Sequence, residues 1–219
     1  MGVVITVDGP AGAGKGTLAR RLAQHFGYAH LDTGKLYRAV GLAVLRCGGD
    51  PADPAAAERA ARALDAGAIA AGALDEAELA SERVAEAASK VSAVPGVRAA
   101  LLDFQRGFAA SPPGGRGGAV LDGRDAGTVV CPDAPAKLFL DARPEVRAAR
   151  RHKELLGRGE VSIYARVLAD IRARDERDRN REVAPLRPAA DACVIDTSDL
   201  DPDDVLARAL AHIAGRTTS

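Results

Sequence analysis

A glycine-rich loop near the start of the chain constrains everything that follows it. The apolar run Val3-Val4-Ile5-Thr6-Val7-Asp8 leads directly into Gly9-Pro10-Ala11-Gly12-Ala13-Gly14-Lys15-Gly16-Thr17. A buried strand that turns through glycines into a helix makes backbone N–H groups converge on an anion, and the lysine adds a mobile positive charge. Free N–H groups in the first helical turn, at the positive end of the helix dipole, strengthen the same pull. Gly9, Gly14 and Lys15 meet the spacing G-x-x-x-x-G-K, so residues 9–17 predict a nucleoside triphosphate site. The position after the lysine, where a Ser or Thr usually reaches Mg²⁺, is Gly16, and the hydroxyl comes one residue later on Thr17. That shift points to magnesium held mainly by phosphates and water, and no protein metal ligand is assigned.

Short apolar runs recur at Val3–Val7, Ala29–Leu31, Ala119–Leu121, Lys137–Leu140 and Cys193–Ile195, each followed by a turn and a helical pattern. Such alternation predicts an α/β fold: a five-stranded parallel sheet between two layers of helices. Helices are expected over 16–26, 36–47, 55–64, 97–108, 144–156, 162–178 and 202–214, the last opened by Asp201-Pro202 as N-cap and first helical residue. Gly157-Arg158-Gly159 between two charged helices predicts the tip of a helical hairpin, with a lid at about 150–166. The alanine-rich stretch within about 51–96 breaks the rhythm and reads as a small subdomain or a helical spacer.

The length of 219 residues suits one domain spanning 1–219. Thirty basic residues balance thirty acidic ones, so no global field favours nucleic acid or a membrane surface. Aromatic content of 3% with no tryptophan argues against a base-stacking surface. Three cysteines without metal-ligand spacing, Cys47, Cys131 and Cys193, read as buried reduced thiols in a cytoplasmic protein. No signal pattern or membrane-length apolar run is present, and a monomer is expected.

Four further clusters suit a second, phosphate-bearing ligand. In Leu31-Asp32-Thr33-Gly34-Lys35-Leu36-Tyr37-Arg38, at the end of a strand, Thr33 offers a hydroxyl and Arg38 a bidentate donor. The strand ending Asp122-Gly123-Arg124-Asp125 places Asp122 where P-loop proteins keep the carboxylate that orients Mg²⁺, often through water. Within 172–181, Arg174, Asp178 and Arg181 are spaced to share one helical face. Arg147, Arg150, Arg151 and Arg158 around the hairpin tip are expected to close over ATP phosphates and exclude water. The four histidines, His25, His30, His152 and His212, are expected to lie apart from these clusters. Each cluster also has an ordinary reading as a capped turn or a solvated charged helix.

The loop with Lys15-Gly16-Thr17 resembles that of nucleoside monophosphate kinases. Asp122-Gly123-Arg124-Asp125 with Gly127-Thr128-Val129-Val130, and Asp178-Arg179-Asn180-Arg181 with Ala184-Pro185-Leu186, extend the likeness to the bacterial cytidylate kinases. The resemblance covers residues 3 to about 196. It implies transfer of the ATP γ-phosphate to CMP or dCMP with Mg²⁺, with Lys15, Asp122, Arg124 and Arg174 at the transfer itself. It further implies that Thr33, Ser89, Arg98 and Asp125 read the cytosine and neighbouring groups, and that Arg38, Arg124 and Arg181 grip the acceptor phosphate. Asp178 would take the sugar hydroxyls, Arg174 would bridge toward the moving phosphoryl group, and Arg150 and Arg151 would reach ATP. The family's small three-stranded insertion on the acceptor side corresponds here to a shorter, alanine-rich stretch, which puts that sheet in doubt. A kinase for another monophosphate, or a nucleotide sensor without turnover, remains an alternative.

Overall fold

A computed structural model describes residues 2–216. Five parallel strands, β1 (Val3–Asp8), β2 (Ala29–Asp32), β3 (Gly118–Gly123), β4 (Ala136–Asp141) and β5 (Cys193–Asp196), form one sheet in the order β2-β3-β1-β4-β5. All five strands predicted from apolar runs are present, most of them a residue or two longer. Helix α1 (Lys15–Phe26) follows β1 and α2 (Thr33–Arg46) follows β2. The C-terminal helix, α10 (Pro202–Ala214), begins at Asp201, whose carboxylate accepts from the amides of Asp203 and Asp204 at 2.8 and 2.9 Å.

Side-chain alternation along the strands builds the two faces. Val120 of β3 packs with Ile5, Leu138 and Ile195 against α1 and α10. Its neighbours Ala119 and Leu121 point the other way, onto Ala109 and Leu102 of α7 (Pro95–Ala110). The central strands β3, β1 and β4 are therefore buried on both sides, as their continuous apolar character requires, while the edge strand β5 leaves Val194 exposed.

Between α2 and α7 lie α3 (Pro54–Arg62), the single-turn helices α4 (Ala66–Ala70) and α5 (Glu76–Ala80), and α6 (Glu82–Val91). No strand occurs anywhere between β2 and β3 among the described residues; the stretch is helical. The local reason is capping: Asp53, Asp65, Asp75 and Ser81 each accept a hydrogen bond from an amide of the turn they open. Between those caps alanines of high helix propensity supply the turns. Ala57, Ala61, Ala88 and Val91 pack these helices onto Leu36, Val40 and Leu101.

The predicted hairpin is present as α8 (Pro144–Gly157) and α9 (Tyr164–Arg179), zipped by Ala148, Leu155, Val167 and Ile171. A π-helical turn over Ala126–Val130, with no counterpart in the sequence pattern, follows β3. The cysteines differ from expectation: all are free thiols, but Cys47 is exposed and Cys131 and Cys193 are only half-buried. Cys47 caps the C-terminus of α2, where the chain leaves the core.

Candidate active site

Strand register brings the site together. Asp32 of β2 pairs with Asp122 of β3, and Asp8 of β1 with Gly123, so the carboxyl ends of neighbouring strands meet at one edge. A cleft of about 790 Å³ opens there, running from the glycine-rich loop to α6 and α9. Ligands of open parallel sheets bind in such crevices.

The loop passes too close to its neighbours for side chains at two places. A Cβ on Gly9, at φ 146°, would overlap the Leu140 carbonyl of the sheet, and one on Gly12, at φ 77°, would come within 3.1 Å of the Arg147 Cβ on the following helical hairpin. Lys15 opens α1, is buried, and donates from Nζ to the Pro10 carbonyl at 2.8 Å. Burial, with Arg124 nearby, pulls its pKa down to about 7. Gly14, Gly16 and Thr17 line the cleft beside it, together with Ala11 and Gly12.

The opposite end is rich in arginine. Arg124 donates from Nε to Asp178 Oδ2 at 2.6 Å, and Arg174 Nε lies 3.9 Å from the same oxygen. Burial alone would raise Asp178, yet Arg124 and Arg174 hold its carboxyl below the usual range. Burial, then Arg124, lowers the Arg174 pKa to about 9. Arg98 is ion-paired with Asp125, donates to the Ser92 carbonyl at 3.1 Å, and lies 5.4 Å from the Tyr37 ring centroid. Arg181 donates to Ser92 Oγ at 3.3 Å and to the Ala184 carbonyl at 2.8 Å. Arg38 donates to the Leu79 carbonyl at 2.6 Å, and Thr33 Oγ1 to the Asp122 carbonyl at 2.8 Å.

Among the described residues, the buried Nε donors of Arg174 and Arg181 have no hydrogen-bond partner. Burial also lowers the pKa of both Arg38 and Arg181. Four arginines, Arg98, Arg124, Arg174 and Arg181, thus converge on two carboxylates, Asp125 and Asp178, with Arg38 along the same wall. Such a surplus of buried positive charge and unused donors is costly when empty and complementary to an anion.

Most of the sequence-predicted residues come together here: Thr33, Arg38, Arg98, Asp122, Arg124, Asp125, Arg150, Arg151, Arg174, Asp178 and Arg181 all line the cleft with Lys15. Ser89 does not; it is buried on α6, where Arg177 donates to its hydroxyl at 3.3 Å, while its neighbours Ala88 and Ser92 reach the wall. Arg181 reaches the cleft by a different route from the one expected, because α9 ends at Arg179 and leaves Arg181 beyond the cap.

Of the hairpin arginines, Arg147 and Arg158 lie outside the cleft, contrary to expectation, while Arg150 and Arg151 line it. Arg147 is 0% exposed and ties Asp175 to the carbonyls of Ala142 and Ala11, so it braces the loop from behind. Arg150 donates to Thr197, and Arg151 pairs with Glu82 and with Glu154, the latter at 2.9 Å. Arg158 pairs with Glu154 and donates to the Ala80 carbonyl at 3.4 Å, so the hairpin tip rests on the helical stretch between α2 and α7.

Two residues to which the sequence pattern gives no role complete the cluster. His30, expected to stand apart, places Nε2 2.7 Å from Asp122 Oδ2. Asp8 accepts from the amides of Ala126 and Gly127 at 2.8 and 2.7 Å and so anchors the turn that follows Asp125. Burial pushes the Asp8 carboxyl up to about 7, and burial with Asp122 alongside raises Asp32. Only the i, i+2 relation of His30 to Asp32 hinted at the first contact, and the strand pairing that creates it is not local.

A triphosphate cradle opening onto a second, arginine-lined recess defines a class: P-loop phosphotransferases with separate donor and acceptor sites. Residues 5–215 match the family model for cytidylate kinase, and the chain belongs to the cytidylate kinase family. It is 61% identical over 216 residues to the cytidylate kinase of Paramagnetospirillum magneticum, covering 99% of this chain and 100% of that protein. The cytidylate kinase of Xanthobacter autotrophicus is 59% identical over 214 residues, 98% of each chain. Among solved structures, an uncharacterized protein from Eubacterium ventriosum superposes with a TM-score of 0.56 at 14% identity, covering 98% of this chain and 99% of that one. A sugar kinase from Janibacter sp. superposes at 0.50 with 17% identity, covering 98% and 95%. The two structural likenesses speak for the fold.

Proposed function

We propose that this enzyme transfers the γ-phosphoryl group of ATP to CMP and dCMP, giving ADP and the nucleoside diphosphate. The observation that carries the reading is a single cleft holding Lys15 of the loop and the arginines 38, 124, 174 and 181, in a chain of the cytidylate kinase family. In this reading Gly9 through Thr17 cradle the triphosphate, and Arg150 and Arg151 approach it from the hairpin. Arg38, Arg124 and Arg181 hold the acceptor phosphate, while Arg174 spans the gap to the transferring group. An acceptor monoester phosphate has a second pKa of about 6, so it needs no strong base. Placement and charge neutralisation supply the rate.

Residues 51–96 would form the acceptor-side wall and 150–166 the lid of a monomer working as one unit. Among the described residues no helix is long and apolar enough to cross a membrane. No group of three or more His, Cys, Asp or Glu side chains there could hold a metal. Mg²⁺ fits as a guest of the nucleotide: Asp122 lines the cleft at the end of β3, a hard oxygen donor suited to orient the ion through water. The ion would neutralise phosphate charge.

Cytosine presents an amino donor beside ring acceptors, which complements Asp125 next to Arg98; uracil presents a carbonyl to the carboxylate and leaves it unpaired. The Asp125→Asn variant can turn its amide to donate instead. Its preference for CMP over UMP should shrink by about ten- to a hundredfold in kcat/KM. A coupled ADP-release assay with CMP, dCMP, UMP and AMP reads this. Unchanged discrimination would remove Asp125 from base recognition, turnover of AMP alone would favour a kinase for another monophosphate, and no turnover of any acceptor would refute the kinase reading in favour of a sensor.

Lys15 adds a pH signature. With its pKa at about 7 in the cleft, the amine is mostly neutral at about pH 8, and bound triphosphate returns it to the charged form. ATP binding near that pH should therefore take up close to one proton from buffer, by roughly the difference between the two forms. Calorimetry in buffers of different ionisation enthalpy measures the uptake, and its persistence in Lys15→Met would show that another group supplies it.

A further inference from the structure

We propose that His30 is a positioning residue for the Mg²⁺-bound state: its imidazole holds the Asp122 carboxylate in the orientation that engages the hydrated ion beside the donor phosphates. The inference rests on Asp122 orienting Mg²⁺ as proposed for the transfer reaction, and it concerns a side chain outside the cleft itself.

His30 lies on β2, one of the two edge strands of the sheet. An ionised carboxylate only accepts, so the 2.7 Å contact has Nε2–H of the imidazole donating to Asp122 Oδ2. Asp122 is buried, and Oδ1 has no hydrogen-bond partner among the described residues, which leaves that oxygen for the cleft. The bond has a specific opponent. Asp32 stands opposite Asp122 in the strand register, and the two carboxylates repel; the same proximity helps to raise the Asp32 pKa. Asp32 is turned to its own duty, accepting from the Lys35 amide at the start of α2 at 3.3 Å. With nothing bonded to Oδ2, Asp122 would rotate freely away from Asp32.

The other side of the imidazole faces a separate cavity of about 600 Å³ behind β2, bordered by Tyr28, Phe104, Phe108 and Arg116. None of those residues lines the main cleft. His30 therefore reaches the site through the wall, and among the described residues the hydrogen bond of its ring is the one to Asp122. A residue that filled space alone would be served as well by leucine; a donor at the depth of Nε2 is served by glutamine, whose amide nitrogen lies at a similar reach, and poorly by the shorter asparagine.

The test compares His30→Leu, His30→Gln and His30→Asn with Asp122→Asn. Calorimetry gives ATP affinity in excess Mg²⁺ and in EDTA, and steady-state rates give the half-saturating Mg²⁺ concentration. His30→Leu and His30→Asn should weaken Mg²⁺-dependent ATP binding and raise the Mg²⁺ requirement by about tenfold, with ATP affinity in EDTA and KM for CMP unchanged. His30→Gln should stay within about twofold of the parent. A parental Mg²⁺ response in the leucine variant, or a glutamine variant as impaired as the leucine one, overturns the proposal. If the leucine variant does not fold, the asparagine and glutamine pair decides between the same outcomes. Asp122→Asn separates the two ideas. If it leaves the Mg²⁺ response unchanged, the role of Asp122 falls; if it shifts the response and His30→Leu does not, only the role of His30 falls.

Discussion

Lys15→Met should lower kcat by about 10³-fold without lowering the melting temperature of the ligand-free protein. The lysine is buried, and among the described residues its Nζ bonds only to the Pro10 carbonyl, so the fold gains little from it. Its folded pKa of about 7 lies below the ordinary 10.5, which fixes the sign of its effect on stability. Below about pH 7 the amine is charged in both states and the fold bears the full cost of burying that charge. Between about 7 and 10.5 the unfolded chain binds more protons, and the cost fades as pH rises. Methionine fills a similar volume without the charge. The variant's melting temperature relative to the parent should therefore be more favourable at pH 6 than at pH 9. In the reaction the same charge would face the transferring phosphoryl group, where nothing replaces it. A variant retaining more than a tenth of the parental kcat would take Lys15 out of the transfer step.

Arg147→Met should destabilise the protein by about 3–5 kcal/mol, because it leaves Asp175 buried with no partner. For a chain of this size that corresponds to a fall of about 10 °C in melting temperature. Arg147 donates from Nη1 and Nη2 to the two Asp175 oxygens at 3.0 and 2.5 Å and from Nε to the Ala142 carbonyl at 2.7 Å. Its further bond to the Ala11 carbonyl at 3.2 Å reaches the glycine-rich loop, so KM for ATP should rise in step. The double variant Arg147→Met, Asp175→Leu removes both charges and should recover much of the loss. Differential scanning calorimetry of the three proteins decides the matter; a single variant as stable as the parent would show that the pair does not brace the loop.

The contrast between these two residues marks what is legible in the chain before it folds. Lys15 was legible because its environment is local: a strand, a glycine turn and a helix start within a few residues. Arg147 looked like a lid residue, because a run of arginines on a helix gives no sign of which one turns inward. Arg174, Asp178 and Arg181 were grouped correctly for a partly wrong reason. The helix stops at Arg179, and Arg181 is returned to the cleft by the reversal in which Leu186 donates to the Asp178 carbonyl at 2.7 Å and Ala184 adopts φ 53°. The helices α4 to α6 carried readable caps at Asp65, Asp75 and Ser81, hidden in a stretch whose composition drew attention to its glycines and alanines. Cys47 looked apolar and is exposed, since pattern alone does not say where a helix leaves the core.

Periodicity, turn chemistry and the phosphate loop, each set by residues close together along the chain, determined the parallel sheet, the position of Lys15 and the arginine-bearing segments. Tertiary structure alone decided which charges meet. Asp32 faces Asp122 only because β2 and β3 pair in that register, and His30 finds Asp122, as Arg98 finds Asp125, across gaps of 92 and 27 residues. Such contacts follow from how strands align and helices pack, and the repulsion or attraction that gives each side chain its role does not exist until the chain has folded.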